Sequence, residues 1–196
     1  MTEQKFDRDT WQTPDYFFRW LNERFHFDLD GCATDENYLD IKNIEIGFHS
    51  ICENPATTMP FIGNGSEIAT DFLKNDLDSV FRELSLRNLS IFVNPPYSDV
   101  TPFIQQAKRL RDAGHTVVML LNNDKSTQWY QNHIHNVANE VIDITGSRIA
   151  FIHPVTGEEV KGNSKGQMVV VFDPTMEDFV QRSVSLDFIK KVGGYE

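Results

Sequence analysis

Two periods of hydrophobic spacing run through this chain, and together they predict an order of elements. Phe17, Phe18, Leu21 and Phe25 recur at helical spacing behind Thr13-Pro14, a hydroxyl cap followed by proline, so a helix is expected over 14–25. The alternating stretch 26–30 ends at Gly31 and reads as a short strand entering a tight turn. Residues 76–84 suit a helix packed through Leu77, Val80, Phe81 and Leu84. Ser90-Ile91-Phe92-Val93 reads as a buried strand that stops at two prolines. Thr101-Pro102 repeats the cap-and-proline signal, with Phe103, Ala107 and Leu110 on the core face and Gly114 as the stop. The unbroken apolar run 116–121 fits a strand covered on both faces. A helix over 126–138 and a strand over 141–144 follow. Residues 148–152 and 167–172 flank a polar, glycine-containing turn and read as an antiparallel pair. Met176, Phe179, Val180 and Val184 share one helical side, which predicts a closing helix over 175–191.

Strands alternating with helices imply an α/β sheet, mostly parallel and twisted, with helices on both faces and an antiparallel edge hairpin. At 196 residues the chain suits a single domain, 1–196, with an irregular loop insertion over about 35–75. No stretch approaches the length of a membrane span, and the opening residues MTEQKFDRDTW have no apolar core of a secretion signal. Cys32 and Cys52 belong to no CxxC or Cys/His cluster, so they read as free thiols of a cytosolic protein. His133 and His135 sit two apart, off any shared helix face and with no third ligand, so no metal is expected. A monomer is the expected state.

The formal net charge of −11 does not announce a broad basic face for DNA. The acid excess is local, however. Residues 28–81 hold 11 acids against Lys42 and Lys74, whereas 101–172 hold 7 bases and 6 acids. A solvated acidic surface accounts for the first region.

Candidate chemistry concentrates at Asn94-Pro95-Pro96-Tyr97, at the carboxyl end of a predicted parallel strand, where open α/β sheets place their ligands. Asn94 offers a side-chain carbonyl, and Pro95 and Pro96 stiffen a turn that aims the Pro95 carbonyl as a second acceptor. Two fixed acceptors suit the two hydrogens of an sp²-type NH₂ group. Holding them favours pyramidalisation and frees the nitrogen lone pair to attack an electrophile. Tyr97 adds a flat face for a planar substrate.

The tetrapeptide resembles the signature of amino-group methyltransferases. The wider chain resembles the phage-encoded DNA N6-adenine methyltransferase family. The shared elements are Trp11-Gln12-Thr13-Pro14, Asp28-Leu29-Asp30-Gly31-Cys32-Ala33-Thr34 with Asn37 after it, and 94–98. Then follow the run 120–129 ending at Trp129, Gly-x-Arg-Ile-x-Phe at 146–151 and Ser-x-Gly-x-Met at 164–168. The order of all six points to the family, because the tetrapeptide alone also occurs in RNA and protein methyltransferases.

The resemblance implies a Rossmann-like S-adenosylmethionine-dependent methyltransferase fold. It implies transfer of a methyl group from S-adenosyl-L-methionine to adenine N6 in DNA, without a covalent enzyme intermediate and with the base flipped out of the stack. Asn94, Pro95, Pro96 and Tyr97 become the catalytic turn. Asp28, Asp30, Gly31, Cys32 and Ala33 form the cofactor turn, with Gly31 letting the backbone approach the ligand. Trp11, Thr13 and Pro14 line the methionine side, and Asp76 takes the cofactor's adenine amino group or else caps a helix. Lys108, Arg109, Arg111, Lys125, Ser126, Arg148, Lys161 and Lys165 are the candidate DNA contacts. A phage origin would place the protein in the cytoplasm of the bacterial host. The sequence departs from the family pattern in lacking Gly-x-Gly in the cofactor turn, in having Asn where Asp is more frequent, and in having no second recognition domain. Specificity then falls to the 35–75 loops, the 122–136 region or the 153–166 turn. Two other functions fit parts of the sequence: an amino-group methyltransferase for RNA or protein glutamine, and an acidic, inactive binding protein on the same scaffold.

Overall fold

The computed structural model describes residues 11–33, 60–63, 66, 68–74 and 76–195. Thr34 and most of the expected 35–75 insertion, including Asn37 and Asn64-Gly65, lie outside the described residues.

In chain order the elements are α1 (Asp15–Phe25), β1 (Leu29–Asp30), α2 (Leu77–Glu83), β2 (Ser90–Val93), α3 (Thr101–Asp112), β3 (Thr116–Asn122) and α4 (Gln128–His133). Then come β4 (Glu140–Thr145), β5 (Phe151–Ile152), β6 (Glu159–Val160), β7 (Gln167–Phe172), β8 (Val180–Ser185) and α5 (Leu186–Val192). Six strands form one sheet in the order β1-β2-β3-β7-β4-β8, and β5 and β6 form a separate hairpin. The pairs β1–β2, β2–β3 and β4–β8 are parallel, and β7 runs antiparallel between β3 and β4.

Strand alternation assigns the core to two faces. Ile91, Val93, Val117, Met119, Leu121, Met168, Val170 and Phe172 share a cluster with Leu77 and Phe81 of α2, Ile104, Ala107 and Leu110 of α3, and Tyr130 of α4. Phe92, Val118, Leu120, Val169, Val171, Ile142 and Ile144 share the other with Phe17, Phe18 and Leu21 of α1 and Leu186 and Ile189 of α5. Helices therefore cover both faces, which is why the central strands are apolar at every position.

Several expectations are corrected. The 167–172 strand is no edge: all six residues are buried and it pairs on both sides, while Phe151 and Ile152 pair with Val160 and Glu159 instead. The closing helix over 175–191 divides into β8 and the short α5. Its helical side gives way to parallel pairing from Glu140↔Val180 to Thr145↔Ser185. Buried Asn139 folds the preceding turn, accepting from the Asp173 N–H at 2.9 Å and donating to the Met176 carbonyl at 2.6 Å. Buried Glu140 then holds Arg182 of β8 at 2.5 Å and Arg24 of α1 at 2.6 Å, which fixes β8 beside β4.

The helix over 126–138 is confined to Gln128–His133, where Thr127 caps it by accepting from the Tyr130 N–H. Neither Thr-Pro pair supplies a hydroxyl cap. Pro14 itself is the N-cap of α1, and Thr101 is already inside α3. Gly114 follows α3 with φ +101°, a conformation that suits glycine and turns the chain into β3.

Candidate active site

The parallel strands β1, β2 and β3 bring Asp30, Asn94 and Asn122 to one end of the sheet. Beyond β2 the Asn94 amide nitrogen donates to Thr13 Oγ1 at 3.2 Å and faces the Trp11 carbonyl at 3.5 Å. A carbonyl only accepts, so this contact turns the nitrogen towards Trp11. It leaves Asn94 Oδ1 buried and without a hydrogen-bond partner among the described residues. Such an acceptor ordinarily costs about 1–3 kcal/mol.

Tyr97 donates to the Leu120 carbonyl at 3.4 Å, and its ring meets Phe151 edge-on with centroids 6.2 Å apart. Burial pushes the Tyr97 phenol above its ordinary pKa, so it stays neutral. Trp11, Asn94, Pro95, Tyr97 and Phe151 line a cavity of about 500 Å³, closed on the far side by Val160–Lys165 and Gln167. Pro96 is half-buried outside this lining and stiffens the turn behind it.

The structure thus joins Trp11 and Thr13 to the 94–97 turn, with buried Pro14 leading into α1. Asp30 is also buried, at 5% exposure, and its Oδ1 accepts from the Cys32 N–H at 3.0 Å. Among the described residues no basic side chain pairs with it. Burial raises its pKa to about 7. A folded-state value above the unfolded one means that the group's contribution to stability is full below about pH 4 and is lost as pH rises through 7. Asp30→Asn is therefore expected to gain on the wild type between pH 4 and pH 8, by up to a few kcal/mol at about 1.4 kcal/mol per pKa unit. Urea midpoints at both pH values check this. A difference that does not change with pH contradicts it.

The turn after Asp30 is held by its neighbours. Gly31 N–H donates to the Phe92 carbonyl at 2.7 Å, and Ala33 N–H to the Ile62 carbonyl at 3.2 Å. A Cβ on Gly31 would stand 2.9 Å from Val93 Cγ2 and 3.0 Å from the Phe72 ring. Packing against those side chains therefore favours glycine here. Burial, and then the fields of Asp30 and Asp71, push the Cys32 thiol up, so it stays protonated.

Asp28 stands apart. Its carboxylate accepts from the Ser90 N–H at 2.9 Å, at the opposite end of β2 from Asn94, ~13 Å away by strand rise. Asp76 is exposed at the head of α2, where its carbonyl, not its carboxylate, receives the first helical N–H groups.

Of the candidate DNA contacts, Lys161 and Lys165 line the cavity. Lys165 pairs with Asp124 at 2.7 Å, Ser126 Oγ donates to the same Asp124, and Lys125 pairs with Asp143 at 2.7 Å. Lys108 and Arg111 pair with Asp112 on α3, and Arg109 donates to Gln106 at 3.3 Å. Arg148 donates to the Asn163 carbonyl.

Sequence reasoning gave no individual role to Phe151 or Gln167, and reached Asn122 and Asn163 only as parts of the 122–136 region and the 153–166 turn; all four line the cavity. Gln167 accepts from the Ile149 N–H at 3.1 Å and donates to the Lys165 carbonyl at 2.8 Å, while Asn163 donates to the Ile149 carbonyl at 2.7 Å. These amides brace the wall that carries Phe151. The available signal was Gly-x-Arg-Ile-x-Phe, whose last residue is that ring.

No solved structure gives a significant match. The chain is 34% identical over 174 residues to a DNA N-6-adenine-methyltransferase of Haemophilus phage HP1, covering 87% of this chain and 82% of that protein. It is 28% identical over 191 residues to a DNA N-6-adenine-methyltransferase of Escherichia phage T1, covering 90% of this chain and 67% of that one. Residues 66–193 match the family model described as DNA N-6-adenine-methyltransferase (Dam), so the chain belongs to that family.

Proposed function

We propose that this adenine-specific DNA methyltransferase takes its target adenine out of the duplex into the cavity that Tyr97 and Phe151 line. There Asn94 Oδ1 and the Pro95 carbonyl hold the two N6 hydrogens. The observation that carries this reading is the buried, unpartnered Asn94 Oδ1 beside two aromatic rings in one cavity. Family membership favours DNA adenine over RNA or glutamine as the acceptor.

The methyl donor is S-adenosyl-L-methionine, which when bound supplies a methyl group on a positively charged sulfur. The residues present fit such a group. Asp30, buried and without a basic partner among the described residues, suits its ammonium, and Thr13 sits beside Asn94 at the same end of the sheet. The mixed sheet with its parallel β1–β2–β3 half is in keeping with a Rossmann-like methyltransferase scaffold. The chain contributes orientation and electrostatics. Asn94 and Pro95 turn the N6 lone pair outward, and Tyr97 and Phe151 confine the ring. The host-cell cytoplasm, where phage genomes are methylated, is the setting this activity needs.

Sequencing of DNA methylated by the protein gives the target position, after which binding tests the flipped base. An adenine opposite an abasic site needs no unpairing, which otherwise costs a few kcal/mol. The wild type is expected to bind such a duplex at least about tenfold more tightly than the fully paired one, since tenfold corresponds to about 1.4 kcal/mol. Tyr97→Ala is expected to lose most of that preference. Equal affinity of the wild type for both duplexes contradicts flipping.

A further inference from the structure

We propose that a second cleft, next to the adenine cavity, takes the sugar–phosphate backbone of the DNA through Arg148, Lys161 and Lys190. This rests on the reading of the first cavity as the adenine site. The cleft is about 540 Å³, and Lys161 and Gly162 form a ridge shared by both cavities. A strand that places its base on one side of this ridge presents its backbone to the other.

Position and charge together select these three residues from the four bases that line the two cavities. The fourth, Lys165, pairs with Asp124 at 2.7 Å. Arg148, Lys161 and Lys190 have no carboxylate within ion-pair distance among the described residues. Arg148 reaches only a neutral carbonyl, that of Asn163. Lys190 lies 4.0 Å from the Tyr195 ring centroid and 5.6 Å from that of Tyr16, contacts that hold an ammonium without neutralising it. Two acids also line the cleft, Glu159 and Asp187. Glu159 accepts from the Tyr195 hydroxyl at 3.2 Å, and Asp187 sits in the first turn of α5. The three bases outnumber them, in a protein of net charge −11. Cations left uncompensated beside the active site of so acidic a chain suit the phosphodiester, the anion that every DNA sequence offers.

The test is the salt dependence of binding to a fluorescent duplex, followed by anisotropy over a range of KCl concentrations without methyl donor. Each neutralised phosphate contributes about 0.9 to the slope of log K against log salt. Lys190→Gln and Arg148→Gln are each expected to reduce the slope by about 1. Arg82→Gln, whose charge Asp78 cancels at 2.6 Å on α2, is expected to keep the wild-type slope. Arg148→Gln also drops the contact with Asn163, so Lys190→Gln carries the test by itself, with its unfolding midpoint measured alongside. A wild-type slope for Lys190→Gln overturns the proposal. So does a loss in Arg82→Gln equal to that in Lys190→Gln. Because the slope is read without catalysis, it stays informative even if the adenine site lies elsewhere.

Discussion

Replacing Asn94 by Ala is expected to lower the single-turnover rate of methyl transfer by about two to three orders of magnitude, the scale seen when one preorganised hydrogen-bonding group is removed from a reacting centre. The fold should survive. The bonds lost within the protein are the 3.2 Å contact to Thr13 and the 3.5 Å approach to Trp11, together worth about 1 kcal/mol. The substitution also removes a buried acceptor that has no partner, and that offsets part of the loss. Stability is therefore nearly blind to Asn94, and the rate is not. Rapid-quench measurement at saturating DNA and methyl donor, with an unfolding midpoint beside it, separates the two.

The largest effect on stability is expected at Phe92. Its ring is 1% exposed and meets Phe18 at 5.4 Å and Phe27 at 5.5 Å between centroids. It stands on β2 with β1 and β3 on either side, so little can collapse into the space it leaves. Phe92→Ala is expected to cost about 3–5 kcal/mol, read from urea unfolding. Leu84→Ala, at a side chain 45% exposed, should stay within about 0.5 kcal/mol. Phe92 precedes Val93 and Asn94, so loosening this face also loosens the strand end that aims Oδ1. A cost below about 1 kcal/mol at Phe92 contradicts the assignment of that face as core.

What could be read from the chain divides along a physical line. Strands β2 and β3 were legible almost to the residue, because apolar runs bounded by prolines, glycine or polar residues have few other ways to be buried. Helix α3 was legible from its core spacing and from Gly114. The site turn was legible because Pro95-Pro96 after a buried strand leaves the chain little choice. Strand β8 was not, because its exposed, mixed sequence carries no strand pattern, and its shape comes from Glu140, Arg182 and the register with β4. The place of β7 in the middle of the sheet was hidden for a related reason: a wholly apolar strand does not declare its neighbours. Thr13 and Gly31 show a subtler limit. Each residue type was meaningful, but its partner was distant in sequence, Asn94 for one and Phe72 and Val93 for the other.

At the centre of this account is Asn94 Oδ1 as the acceptor for adenine N6, and the substitution Asn94→Asp isolates it. An Asp keeps an acceptor oxygen in the same place, while it exchanges the amide nitrogen turned towards Trp11 and Thr13 for a second oxygen and adds a negative charge. The decisive measurement is the single-turnover yield of N6-methyladenine, counted as the digested nucleoside, for wild type, Asn94→Asp and Asn94→Ala on one duplex. The expected result is product from the wild type and from Asn94→Asp, with Asn94→Ala slower than either by about 100-fold or more. Product formation by Asn94→Ala at the wild-type rate would contradict the account.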